Sequence, residues 1–203
     1  VETPDYPWEF FSFKVTPYKM KRQTVYTLFV IAIILSFFVT PLGDFSKLML
    51  NRIFSAAPTV ITQENRGGIS SYDWGLKDAN WEFFSFKKSK GKVVFITFWA
   101  SWHLPSKAQL KDIQLLYDTY KGNVDFYVIT NEERAPVELF MMKNDYTFPV
   151  TYQIVGNLSP LTLLKPPGSY IIDKNGDIVV HQNAIADWRN DKVDELFAEL
   201  IAQ

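Results

Sequence analysis

The chain has 203 residues, room for one domain plus an appendage, and its formal net charge of −1 gives no footing for nucleic acid or another polyanion. It contains no cysteine, which excludes structural disulfides, thiolate metal sites and thiol chemistry of any kind. Its 17 Phe, 10 Tyr and 6 Trp are more than one small core needs, so some rings are expected to face lipid or another protein.

The first eighteen residues cannot build a core, yet they carry Tyr6, Trp8, Phe10, Phe11, Phe13 and Tyr18 among three prolines. Lipid headgroups or a neighbouring membrane subunit are the two covers such rings can find. Trp8, Phe10, Phe11 and Phe13 are therefore candidate partner-binding residues. They belong to the heptapeptide WEFFSFK, which occurs at Trp8–Lys14 and again at Trp81–Lys87.

Gln23 to Gly43 is a run of 21 residues without a charge, roughly 31 Å as a helix, or about one bilayer core. Lys14, Lys19, Lys21 and Arg22 precede it, which places the N-terminus on the cytoplasmic side and everything after Gly43 outside. A buried core helix and a cleaved leader peptide are the competing readings. The small-residue stretch Ser55–Pro58 lies far past the apolar run, so a retained anchor is preferred. Phe45–Phe54 has helical apolar spacing and continues the anchor or lies on the membrane surface. Pro58–Ser71 reads as a linker.

A mixed α/β pattern follows. YDWGL and WEFFSF read as strands joined by KDAN, with KKSKGK a basic turn after them. Val93–Trp99 is apolar without a break, as in a central strand covered on both faces. Pro105–Lys121 reads as a helix with Leu110, Ile113, Leu115, Leu116 and Tyr120 on one broad stripe. Val124–Thr130 is another buried strand, and Pro136–Asn144 a shorter helix. GSYIID and DIVVHQ flank KNG, a hairpin signal. Asn190–Ala202 closes the chain as a helix.

FWASWHLPSKAQL (Phe98–Leu110) resembles the active-site stretch of thioredoxin-fold proteins, and in particular of the membrane-anchored thiol–disulfide oxidoreductases of the TlpA/ResA type. Phe148–Val150 and KPPGSYIIDKNGDIV resemble further segments of that family, with Pro167 at its cis-proline position. The likeness covers about residues 72–203. It implies a thioredoxin-like α/β fold, a mixed sheet flanked by helices, preceded by one transmembrane helix. The implied organisation is a cytoplasmic segment 1–22, a span 23–43, a juxtamembrane helix and linker 44–70, and an extracytoplasmic thioredoxin-like domain 71–203.

The departures bear on function. Where the family has Cys-x-x-Cys, this chain has His103, Leu104, Pro105 and Ser106. Disulfide exchange needs a thiolate, and a serine hydroxyl neither ionises near neutral pH nor forms the mixed disulfide. Thr97 stands where many thioredoxins carry a buried carboxylate, and Lys111 replaces a proline common in the helix. The expected protein is a redox-inactive pseudoenzyme without cofactor, a single-pass bacterial inner-membrane protein with a periplasmic domain. It would serve as a binding or scaffolding subunit of a membrane complex.

Trp102, His103, Pro105 and Pro167 are its expected docking residues, since thioredoxin-type domains hold extended segments beside the cis-proline. An imidazole at a helix start can cap the helix, contact a partner or bind a metal; the first two are preferred. His181, the other histidine, is expected at the same sheet edge but on the order of 10 Å away. Ser106 with His103 permits contact on one turn, but no orienting carboxylate is evident for a triad. Glu132, Glu133 and Arg134 follow a buried strand at the sheet end that carries active sites in such folds; a carboxylate there could matter, and a solvated loop is the preferred reading. Two alternatives remain: a metal-handling or assembly factor using His103, and a holdase-like chaperone for exported chains.

Overall fold

The computed structural model describes residues 21–39 and 56–203. Helix α1, Arg22–Val39, has 18 residues, and its side chains from Arg22 to Leu35 are exposed. Among the described residues no helix is long and apolar enough to cross a membrane. The span expected over 23–43 continues past α1 into residues 40–43, which lie outside the described residues, as do the first WEFFSFK copy and Phe45–Phe54.

The domain is built on one seven-stranded sheet of order β2-β1-β5-β4-β3-β6-β7. Its strands are β1 (Gly75–Lys77), β2 (Phe83–Ser85), β3 (Val93–Phe98), β4 (Val124–Thr130), β5 (Val150–Gln153), β6 (Gly168–Ile172) and β7 (Ile178–Gln182). Helices α2 (Leu104–Tyr120), α3 (Arg134–Lys143) and α4 (Asp191–Ala202) complete it. β3, β4 and β5 are parallel, and all other pairings are antiparallel. β3 is central and buried along its whole length, because both of its faces meet a core.

Alternation along the strands builds two cores. Val93 and Phe95 face Leu110, Ile113 and Leu116 of α2, Val137 of α3, and Val193, Phe197 and Leu200 of α4. Val94, Ile96 and Phe98 face the other way, towards Trp74, Leu76, Phe86, Tyr127, Leu161 and Tyr170. The three helices of the domain therefore serve one face. The second face is closed by the aromatic β1–β2 hairpin and the segment around Leu161. Each fully buried Leu, Ile or Phe here contributes about 1.5–3 kcal/mol.

Three expectations change in detail. Leu115 is 48% exposed, because on α2 the buried row is Leu110, Ile113 and Leu116 and Leu115 lies off it. The stretch WEFFSF is a strand only over Phe83–Ser85; Phe86–Ser89 turns into a 3₁₀ helix, capped by the Ser85 side chain accepting from Lys87 N–H. Trp81 precedes β2 in the left-handed region, φ 66°, so the two-faced aromatic strand begins after it. Phe83 then points to solvent, 73% exposed, with Lys77 Nζ 4.7 Å from its ring, while Phe86 is buried.

The segment read as a linker runs along the open side of β7. Ile61 N–H donates to Val179 O, Ile178 N–H to Gly67 O, and Ile69 N–H to Gly176 O. Arg66 stands 3.8 Å from the buried Asp173 carboxylate. The KNG turn forms the expected β6–β7 hairpin, with Gly176 at φ 93°.

Candidate functional site

Phe98 pairs with Ile129 of β4 and with Gly168 of β6, so the segments after β3 and β4 and those before β6 and after β7 gather at one end of the sheet. The loop Trp99–His103 emerges there. Trp99 is buried, its indole N–H donating to Val128 O, and it packs against Phe140 and Phe148. Trp102 is 69% exposed, its ring 5.6 Å from that of His103.

His103 occupies the N-cap position of α2 with an extended backbone, but its side chain accepts no backbone N–H. Its Nδ1 instead lies 3.1 Å from Ser106 Oγ, one helical turn on. The preferred capping role is thus replaced by a side-chain bridge. Ser106 is 0% exposed, so its hydroxyl is spent on this internal contact and presents nothing to an incoming carbonyl. Pro105 sits in the first turn of α2, where a missing N–H costs nothing.

Glu132 departs from its solvated-loop reading. Its carboxylate accepts from Ser101 N–H at 2.6 Å and from Ser101 Oγ at 2.7 Å. The carboxylate therefore fixes the loop that carries Trp102 and His103 and does not orient the imidazole. Among the described residues no triad is assembled at His103 and Ser106. A charge following a strand reads as a loop in the sequence; a bond across 31 positions leaves no local signal.

Thr97 is buried and links β3 to the start of β6. Ser169 Oγ donates to Thr97 Oγ1 at 2.9 Å, and Thr97 Oγ1 donates to Gly168 O at 3.4 Å. The peptide bond Pro166–Pro167 is cis, and Pro167 is buried. Gly168 follows it where a Cβ would lie 2.3 Å from Leu164 Cβ, so only glycine permits this close approach. A cleft of about 60 Å³ lies beside these residues, lined by Phe98, Ile129, Asn131, Gln153, Leu164 and Pro166. It has room for one small side chain of an extended segment.

His181 is exposed on β7, stacked on Tyr170 with ring centroids 4.8 Å apart, and makes no bridge to His103. Among the described residues no group of three or more His, Asp or Glu is placed to hold a metal ion. A larger groove of about 330 Å³ opens at the opposite end of the sheet, between Lys88, Tyr117, Lys121 and Tyr127. Trp8, Phe10, Phe11 and Phe13 lie outside the described residues.

Residues 70–181 match the sequence model of the AhpC/TSA family. Over 166 residues the chain is 27% identical to the thiol-disulfide oxidoreductase ResA of Bacillus cereus, a match covering 79% of this chain and 88% of that protein. It is 35% identical over 92 residues to ResA of Oceanobacillus iheyensis, covering 44% of this chain and 48% of that one. The thioredoxin-like protein YneN of Bacillus subtilis is 28% identical over 115 residues, covering 55% and 68%. Among solved structures, a secreted thiol-disulfide isomerase of Corynebacterium glutamicum superposes with TM-score 0.59 at 13% identity, covering 71% of this chain and 92% of that chain. A thiol:disulfide interchange protein, DsbE, of Chlorobium tepidum gives 0.57 at 18% identity, covering 68% and 98%. These likenesses establish the thioredoxin-like fold, and the relatives agree with the motif resemblance.

Proposed function

We infer that this chain, which belongs to the AhpC/TSA family, keeps the thioredoxin-like scaffold as a redox-inactive binding subunit of a membrane protein complex. The observation that carries the reading is at the two motif positions. His103 and Ser106 stand there bridged to one another, Ser106 is sealed from solvent, and the chain has no thiol anywhere. What remains at that end is a recognition surface: an exposed Trp102 on a loop held by Glu132, and a small cleft beside cis-Pro167. An exposed aromatic on a fixed loop suits a hot spot, since little ordering is left to do on binding.

The anchoring reading is supported by the 21-residue uncharged run, of which α1 covers all but residues 40–43, and by apolar side chains exposed along α1. In this proposal residues 1–22 lie on the cytoplasmic side of a bacterial inner membrane and the domain on the periplasmic side. The first WEFFSFK copy then docks at the cytoplasmic surface, separated from the second by the bilayer.

Purification of the full chain in mild detergent, with identification of bound proteins, tests the function. A fixed stoichiometric partner set is expected. Its retention should fall by about tenfold or more with Trp102→Ala, and deletion of residues 1–18 should release a membrane partner. Promiscuous capture of unfolded chains would favour a holdase and count against this reading. Unchanged co-purification in both variants would overturn the docking assignments.

A further inference from the structure

Val155 is 95% exposed and Leu158 89% exposed, the two most exposed large apolar side chains among the described residues. Both lie on the loop between β5 and cis-Pro167, and Leu163, also exposed, is on its returning limb. Nothing in the domain covers these tips. The loop is held beneath them: Asn157 Nδ2 donates to Gly75 O at 3.2 Å, Leu161 is buried, and Tyr170 OH donates to Thr162 O at 3.0 Å. It is a fixed base presenting apolar ends.

Charge is missing from the whole stretch. From Tyr146 to Leu164 there is no Asp, Glu, Lys or Arg, in a chain that has 21 basic and 22 acidic residues; the exposed Lys165 follows directly. Without a charge at its tip, the loop can bring Val155 and Leu158 to an apolar boundary without desolvating an ion.

The position of the loop also bears on what covers it. It leaves the sheet at the C-terminal end of β5, the end where β3 and β4 also finish. The chain coming from α1 joins the domain at that same end: Ala56 O accepts from Asp187 N–H just beyond β7, and the segment then runs down the β7 edge. Residues 40–55 join Val39 to Ala56, and sixteen residues reach at most about 55 Å. The chain from α1 thus enters the domain at the end of the sheet where the loop begins and returns, while mid-loop Pro160 O accepts from Ser70 Oγ over the second face.

We propose that the loop Ile154–Leu164 is a second, peripheral membrane contact, with Val155 and Leu158 inserted at the lipid headgroup boundary. The inference rests on the anchoring reading above. Its consequence is orientation: the exposed Trp102 and the cleft beside Pro166, at the same end, are held at the bilayer surface, where they meet the membrane-proximal part of a partner. The tether makes this contact intramolecular, so a loop too weak to bind lipid from solution holds once anchored.

The cysteine-free chain allows a clean test. Leu158→Cys and, at the opposite end of the sheet, Lys90→Cys are each labelled with a nitrobenzoxadiazole fluorophore in the full chain. Each is reconstituted into vesicles of phosphatidylcholine and phosphatidylglycerol. The Leu158→Cys label should emit to the blue of the Lys90→Cys label and be quenched about twofold or more by acyl-chain nitroxide lipids. Val155→Asp with a label at Leu163→Cys should lower that quenching. Equal, aqueous behaviour at both labels overturns the inference, as does a Leu158→Cys label that becomes shielded only when a partner protein is added. Failure of the anchoring reading is distinct: the full chain would then not float with the vesicles at all.

Discussion

At the scale of single residues, His103 and Ser106 show how a reactive position becomes a structural one. Replacing both with cysteine places an i, i+3 thiol pair at the start of α2, after the buried Trp99. The double variant His103→Cys/Ser106→Cys is expected to form an intramotif disulfide, seen by mass spectrometry before and after reduction. It should also show dithiol-dependent insulin reduction above that of the natural chain, measured side by side. With Thr97 in place of a proton-transferring carboxylate, turnover should be slow. Gly168 is the other decisive residue. Gly168→Ala drives a Cβ into Leu164 and should cost about 2 kcal/mol or more, read from the denaturant midpoint. Tyr127 gives a pH signature. Burial pushes its phenol up to about 12, Asp125 adding to the rise and the Ser89 hydrogen bond opposing it. The folded state thus keeps a proton that the unfolded chain begins to lose near its ordinary value of 10.0. Stability from this group is complete below that value and is lost as pH rises to about 12. Tyr127→Phe should make the melting temperature fall less steeply across that window.

At the scale of elements, the segment Ala56–Ile69 does more than connect. It covers the β7 edge with backbone bonds, which protects an edge strand from pairing with another chain. Arg66 fastens it to Asp173, whose carboxylate also accepts from Asn175 and Asp177 N–H in the β6–β7 turn. Arg66→Ala leaves that buried carboxylate without its cation and should cost about 3 kcal/mol. Amide hydrogen exchange should speed up at Ile61 and Ile69 more than in β3, which separates local loosening from global loss. The β1–β2 hairpin is fastened at its tip. Asp78 Oδ1 accepts from Asn80 and Glu82 N–H, and Lys77 Nζ lies 4.4 Å from the Trp81 ring. That clamp accompanies a left-handed tryptophan, a conformation that costs of order 1 kcal/mol.

At the scale of the whole molecule, the segments leaving one end of the sheet carry the exposed Trp102, the cleft beside cis-Pro167, the uncharged loop and the junction with the chain from α1. The opposite end carries the lysine-rich turn and the larger groove. The absence of cysteine makes one global prediction: adding or removing reductant should leave the melting temperature unchanged, because no disulfide can form. The central strands, α2, the β6–β7 hairpin and the vacated motif were legible in the sequence, because periodicity, turn chemistry and composition are local properties. The absence of thiol chemistry followed from composition alone. Only the tertiary structure decided that Glu132 braces the Trp102 loop, that Ser106 is sealed, that Leu115 faces water, and that residues 56–69 belong to the sheet's edge. Each of those depends on what distant segments bring into contact, and burial and hydrogen bonding between positions tens of residues apart leave no periodic trace along the chain.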